Sequence, residues 1–395
     1  MNTELKNNVL KSLARLIKEH SAQIIEANRR DLANCAKTDE VIFDRLKVDE
    51  SKIGKMIAAI ENVIGLPDPV GRVLYSKTRG DGLKIENRSV PFGCVLIIYE
   101  ARPDVSVEAA IIALKAGNRI LLKGGKEARE TNLYLAELWR QALAENGADE
   151  SFVRYLDISR EETQRLIEGG AEKFDVVIPR GGEALIEYVL KNSKAPVIVS
   201  GRGNNFAYID ADADFEKALD IVIDGKSRLS VCNALDKVLI DERLPDLEDK
   251  INALTEALHN ASIEVFGDSS VNHVNPSVRL FGDEETWFEE FLSAKIVAAV
   301  VSGLGEAIEK INRYSGGHSA VIVTENAARA ERFMQETDCA AVYHNASVRF
   351  IDGGEFGLGA EIAISTQKLH FRGPLGAEHL LTNKWFVFGD GQIRK

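Results

Sequence analysis

The chain has 395 residues, 45% of them hydrophobic and 28% charged, with a formal net charge of −12. That length exceeds what one hydrophobic core organises and predicts two to three domains. The acidic balance excludes nucleic acid and anionic membrane as main partners, since phosphate-bearing surfaces repel it.

Residues 1–20 carry lysines without an apolar leader core, and no run approaches the ~20 apolar residues of a membrane span. Cys35, Cys94, Cys232 and Cys339 are widely spaced with no CxxC pair. That is neither a disulfide framework nor a zinc site, so no metal is expected and a reducing cytoplasm suits the chain.

In chain order, residues 3–35 repeat apolar positions at helical spacing through Leu5, Val9, Leu13, Leu16 and Ile24. A second helix is predicted over Asp49–Ile64, stopped by Gly65 and Pro67. Val73–Lys77 and Leu83–Glu86 flank Gly80-Asp81-Gly82, a hairpin signal. Such a hairpin serves either as an interface with another subunit or as a surface loop.

Strand–helix alternation follows: strand Cys94–Tyr99, helix Val105–Ala116, strand Ile120–Leu122, helix Lys126–Glu145, helix Glu161–Glu168, strand Asp175–Ile178, helix Glu183–Leu190 and strand Pro196–Ser200. Short glycine loops between such elements predict a mostly parallel α/β sheet with ligands beyond its carboxyl ends. Asp210, Asp212 and Asp214 lack the glycine and closing glutamate of a calcium loop, so they read as a helix start. Residues 233–350 then alternate again, with strands at Lys237–Ile240, Ala298–Ser302, Ala320–Thr324 and Cys339–Tyr343. A second α/β domain is predicted there. The glycine-dense stretch Phe350–Pro374 is a functional loop by its length. Lys384–Phe388 is a strand able to pair with the hairpin.

Three places carry chemistry. Lys123-Gly124-Gly125-Lys126 and Arg180-Gly181-Gly182 each end a strand at a helix start and bear a cation, a combination that favours phosphate. Neither is a GxGxxG or Walker loop, and each is also readable as a tight turn. Cys232, in Ser230-Val231-Cys232-Asn233, lies among small and polar residues, where a thiol is held open as a nucleophile. Its bland alternative is a buried small hydrophobe.

At these segments the chain resembles the aldehyde dehydrogenase superfamily and, within it, the gamma-glutamyl phosphate reductase family. The resemblance runs through Tyr99-Glu100-Ala101-Arg102-Pro103, Lys123–Glu127, Ile178–Gly182, Ser230–Asn233, Val342–Phe350, Asp352–Glu361 and Ser365–His370. It implies an α/β fold with a cofactor domain (1–66 and 91–203), a catalytic domain (204–371), and an oligomerisation element (67–90 and 372–395). It also implies the reaction, reduction of L-glutamyl 5-phosphate by NADPH to glutamate 5-semialdehyde with release of phosphate. A homodimer or homotetramer is expected, with glutamate 5-kinase as the candidate protein partner.

By residue, the resemblance makes Cys232 the nucleophile, with backbone N–H groups near it, joined by the Asn233 side chain, expected at the oxyanion. Glu290 and Phe356 join the two glycine loops at the cofactor, and Lys126 stands where a ribose-binding glutamate would repel the 2′-phosphate of NADP. Arg102, Arg228, Asn345 and Arg349 are assigned to the glutamyl substrate. Residues Val197–Gly203 carry no carboxylate to activate water, as a reductase requires.

The chain departs from the family at Leu229, where proline is usual, at Gly225–Arg228, where Lys-Thr-Gln-Arg is usual, and at Asp236, where glutamate is common. Rival readings are a hydrolytic or other acylating aldehyde dehydrogenase, a thiol hydrolase using His318 or His344, and a non-catalytic protein retaining the fold.

Overall fold

Apolar residues spaced three and four apart over residues 3–35 fold as two helices rather than one. They are α1 (Thr3–Glu19) and α2 (Ser21–Asn34), parted at His20, whose Nδ1 lies 2.7 Å from the Tyr134 hydroxyl. The computed structural model describes residues 1–35, 40–170 and 172–394, and its contacts divide the chain into two compact units. Unit 1 comprises Met1–Val199, Gly357–Ala363 and Pro374–Lys395, and unit 2 comprises Ser200–Phe356 and Ile364–Gly373.

In unit 1, α3 (Glu40–Leu46) and α4 (Glu50–Gly65) follow, the latter capped by the Asp49 side chain on the Lys52 amide. Strands β1 (Val73–Thr78) and β2 (Lys84–Pro91) form the predicted hairpin. Gly82 turns it with φ +85°, a conformation that glycine adopts without steric cost. The C-terminal strand Leu381–Phe388 pairs antiparallel along β2 from Leu381↔Pro91 to Phe388↔Lys84. Val73, Leu74, Tyr75, Trp385, Val387 and Phe388 leave this small sheet exposed.

The remainder of unit 1 is β3 (Cys94–Tyr99), α5 (Val105–Lys115), β4 (Arg119–Gly124), α6 (Arg129–Glu145), β5 (Val153–Tyr155), α7 (Arg160–Ile167), β6 (Val176–Arg180) and α8 (Glu183–Asn192). The strands pair in parallel in the order β5-β4-β3-β6. Val95, Ile97 and Tyr99 enter one core while Leu96 and Ile98 enter another. A sheet covered on both faces demands this continuous apolar run. The strand expected at Pro196–Ser200 is reduced, within unit 1, to a single bridge of Val197 to Val177. Pro196 has no N–H for a ladder.

Unit 2 runs β7 (Asn205–Ile209), α9 (Phe215–Gly225), β8 (Leu235–Asp241), α10 (Leu247–Asn260), β9 (Glu264–Gly267), α11 (Ser269–Val274), β10 (Arg279–Leu280), α12 (Glu285–Phe288), β11 (Lys295–Val301), α13 (Leu304–Tyr314), β12 (Ser319–Val323), α14 (Ala327–Glu336) and β13 (Ala341–His344). Among the described residues these strands form one seven-stranded sheet, ordered β10-β9-β11-β8-β7-β12-β13 and parallel throughout. Alternate residues again divide between two cores, Ala207 and Ile209 on one side, Phe206 and Tyr208 on the other. Strand β7 was not expected from the sequence, which reads there as a connector to α9. Asp214 caps α9 through the Lys217 amide, as the aspartate-rich connector predicted.

Candidate active site

Cys232 lies in the turn between α9 and β8, closed by the Ala234 amide donating to the Val231 carbonyl at 3.1 Å. It therefore sits at the amino end of its parallel sheet. The carboxyl-end expectation is met instead in unit 1, where both glycine loops follow strand ends.

Arg349 reaches this turn from a short helical segment at Val348–Phe350. Its guanidinium donates to Asn233 Oδ1, and Asn233 Nδ2 donates to the carbonyls of Arg349 (2.9 Å) and Ile351 (3.3 Å). The Asn233 side chain thus clamps residues 349–351 through both its oxygen and its nitrogen. Burial, then the nearby Arg228 charge, lowers the Arg349 pKa, while Asp224, Asp352 and Cys232 oppose the shift. Arg228 is exposed. Arg349 and the Cys232 thiol are within electrostatic reach of each other, and a cation so placed attracts an anionic substrate.

Behind the turn, Gly203 packs on the cysteine backbone so closely that a Cβ there would fall 1.7 Å from the Cys232 carbonyl oxygen. The Gly203 amide donates to Glu290 Oε1 at 3.0 Å. The segment Val197–Gly203, which has no carboxylate of its own, is thus tied to residue 290 through the Gly203 amide. Two departures from the family pattern are each other's partners. Lys226 Nζ and Asp236 Oδ1 form a fully buried ion pair at 2.6 Å. Asp236 Oδ2 also accepts from the Phe291 amide at 3.0 Å, steadying the Glu290 segment.

The Asn345 side chain, expected at the substrate, is engaged by its own chain. In a left-handed conformation (φ +52°), it accepts from the Thr324 amide and donates to the Thr324 carbonyl, both at 3.0 Å. His344 Nε2 lies 2.9 Å from the same carbonyl. Phe356 is exposed, its amide donating to the Asp352 carbonyl.

In unit 1 both glycine loops are filled from within. Gly182 donates its amide to Glu100 Oε2 at 2.8 Å, and a Cβ at Gly181 would fall 2.4 Å from that oxygen. Arg180 Nη1 donates to the Ile362 carbonyl at 2.5 Å, holding the returning chain. A Cβ at Gly125 would lie 2.0 Å from the Glu127 carboxylate, which accepts from the Ala101 amide at 2.7 Å. Own-chain carboxylates thus lie against Gly125, Gly181 and Gly182. Two cations stand at the end of β4. Lys126 is exposed, and half-buried Lys123 has a pKa lowered by burial, its Nζ on the Gly124 carbonyl at 2.6 Å. This donor set fits a phosphate-bearing cofactor.

Glu108 on α5 was not singled out by sequence. Its carboxyl is pushed up to about 8, first by burial, then by Asp104, with Glu361 adding to the rise and Arg180 and Arg102 opposing it. The signal in the sequence was a glutamate inside a mostly apolar helix.

The sequence pattern of the aldehyde dehydrogenase family matches residues 1–273. The gamma-glutamyl phosphate reductase of Clostridium botulinum (strain Eklund 17B) is 41% identical over 395 residues, covering 99% of this chain and 95% of that protein. Its counterpart in Clostridium perfringens (strain 13) is 42% identical, covering 100% and 95%. The crystal structure of gamma-glutamyl phosphate reductase from Thermotoga maritima superposes with a TM-score of 0.93 at 41% identity, covering 100% of this chain and 95% of that one. An acetylating aldehyde dehydrogenase from Geobacillus thermoglucosidasius, 17% identical, shares the fold with a TM-score of 0.73 over 100% of this chain and 94% of that one. The chain belongs to the aldehyde dehydrogenase family, among its gamma-glutamyl phosphate reductases.

Proposed function

We propose that the chain catalyses the NADPH-dependent reduction of L-glutamyl 5-phosphate to L-glutamate 5-semialdehyde, releasing phosphate, as the second step of proline biosynthesis from glutamate. The observation that carries this reading is the Cys232 thiol on a braced turn within electrostatic reach of Arg349. Full-length relatives bearing the reductase name supply the reaction class.

The thiolate of Cys232 attacks the acyl carbon, and the carbonyl oxygen becomes an oxyanion met by backbone N–H groups of the turn. The C–O bond to phosphate breaks, phosphate departs with its electron pair, and a thioester remains. Phosphate is a good leaving group, so no strong acid is required. The guanidinium groups of Arg349 and Arg228 hold the anionic substrate and the departing phosphate. Enzymes of the family use a nicotinamide cofactor. When bound, it supplies the hydride that converts the thioester to the aldehyde as the Cys232 thiolate is released. Lys123 and Lys126 are the residues that would hold its phosphates, and Lys126 favours NADP over NAD because it attracts the 2′-phosphate. Glu290 is assigned to the ribose and Arg102 to the glutamyl end.

The exposed apolar side chains of the β1–β2–Leu381–Phe388 sheet are proposed as the contact of a homodimer or homotetramer. The four widely spaced cysteines, with no CxxC pair, suit the cytoplasm, and no helix among the described residues is long and apolar enough to cross a membrane.

The test runs the reaction backwards. Glutamate semialdehyde, phosphate and NADP⁺ are mixed with wild type and with Cys232→Ala, and absorbance of the reduced cofactor is followed. Phosphate-dependent reduction that vanishes in the variant is expected. Turnover without phosphate would overturn the reading in favour of a hydrolytic aldehyde dehydrogenase.

A further inference from the structure

A buried polar chain stands behind the Cys232 turn, and nothing in the chemistry above uses it. Asn205 opens β7, and both it and His318 are fully buried. Asn205 Nδ2 faces three carbonyl oxygens, those of Gly203 (2.9 Å), Cys232 (2.7 Å) and Ala234 (2.7 Å). Only the amide nitrogen can serve acceptors, so the orientation of this side chain is unambiguous. Its Oδ1 then accepts from the Ser319 hydroxyl at 2.6 Å and lies 2.8 Å from His318 Nδ1. The imidazole must therefore carry its proton on Nδ1. Among the described residues its Nε2 meets no partner, as fits a neutral ring.

The peptide joining Cys232 to Asn233 is planar and trans, so its carbonyl and its N–H point in opposite directions. Turning the carbonyl onto Asn205 aims the Asn233 N–H at the other side of the turn. Gly203, packed on the same carbonyl and tied to Glu290, blocks rotation of that plane.

We propose that Asn205, oriented by His318 and Ser319, is the positioning residue that sets the Cys232–Asn233 peptide plane for attack and for oxyanion binding. The proposal rests on Cys232 being the nucleophile.

Two substitutions at His318 separate positioning from mere filling of space. Asparagine places an amide nitrogen where Nδ1 stands, whereas glutamine, closer to histidine in volume, places it at Nε2. His318→Gln should lower kcat by about 10- to 100-fold, the scale of a small misplacement of reacting groups. KM for the acyl phosphate should stay within about two-fold, and His318→Asn should recover most of the loss. Asn205→Asp, which keeps the shape but removes the donor, should fall with His318→Gln.

The rate of iodoacetamide alkylation of Cys232, read by peptide mass spectrometry, should follow the same order. Near-UV circular dichroism checks that each variant is folded. Glutamine matching or exceeding asparagine at 318, or a wild-type kcat in Asn205→Asp, would overturn the proposal. Wild-type turnover in a parallel Cys232→Ala control would instead remove the nucleophile on which it rests.

Discussion

Arg349 is half-buried beside a second guanidinium, a position that both desolvation and like charge oppose. A cation kept where its pKa is lowered serves a purpose that packing alone does not require. Arg349→Lys keeps the charge but loses the planar fork on Asn233, so kcat/KM for the acyl phosphate should fall by about 10- to 100-fold. Steady-state kinetics would show it, and an unaltered value would take Arg349 out of the substrate site. His318 bears on stability as well. Burial depresses its pKa from 6.5 to about 4. Between those values the unfolded chain binds a proton that the native chain does not, so stability is complete above pH 6.5 and declines as pH falls toward 4. The contribution is about 3 kcal/mol at most. Urea midpoints taken from pH 7 to 4.5 should drop less steeply for His318→Asn than for wild type. Glu108 titrates with the opposite sign. Its native carboxyl, raised from 4.5 to about 8, binds a proton that the unfolded chain releases, so this group costs stability as pH rises through that window. Glu108→Gln should therefore unfold at higher urea than wild type at pH 8 and near the wild-type midpoint at pH 4.5.

At the scale of elements, α9 and β8 hold the cysteine turn between them, and their ends are set by local polar contacts. The Asp214 cap on Lys217 starts α9. Asp214→Ala should lower stability by about 1 kcal/mol, read as a denaturant midpoint shift, with kcat kept within about two-fold. The Lys226–Asp236 pair bridges the end of α9 to β8 with both side chains buried. Asp236→Ala strands a buried ammonium, and a loss of about 3–5 kcal/mol is expected. A loss under 1 kcal/mol would mean that the pair does not brace the turn. Both ends of this bracing were visible in sequence only as unlike departures ten residues apart. Nothing in the linear order says that a lysine after α9 and an aspartate inside β8 face each other.

For the whole molecule, the small three-stranded sheet of β1, β2 and Leu381–Phe388 needs cover on its apolar face to be stable. Its exposed Leu74, Tyr75, Trp385 and Val387 call for apolar cover. On the proposed homodimer or homotetramer, a Leu74→Arg, Trp385→Arg double variant should elute at monomer mass in light-scattering chromatography and wild type at a multiple of it. A wild-type mass in the double variant would place the interface elsewhere.

The sequence by itself determined the parallel α/β layering, the hairpin and its returning strand, the α9 cap and the position of Cys232. Each is a property of neighbours in the chain: an apolar period, a turn glycine, a cap residue, a thiol among small residues. Tertiary structure alone decided how that thiol is held. The contacts that do so join Asn205 to Cys232, His318 to Asn205, Gly203 to Glu290 and Asn233 to Arg349, across 27, 113, 87 and 116 residues. It also decided that the glycine loops enclose Glu100 and Glu127, since a glycine pair reads the same whether phosphate or a carboxylate of its own chain fills it. A hydrogen bond depends on distance and angle in space, and a parallel sheet places strand starts side by side that the chain keeps far apart.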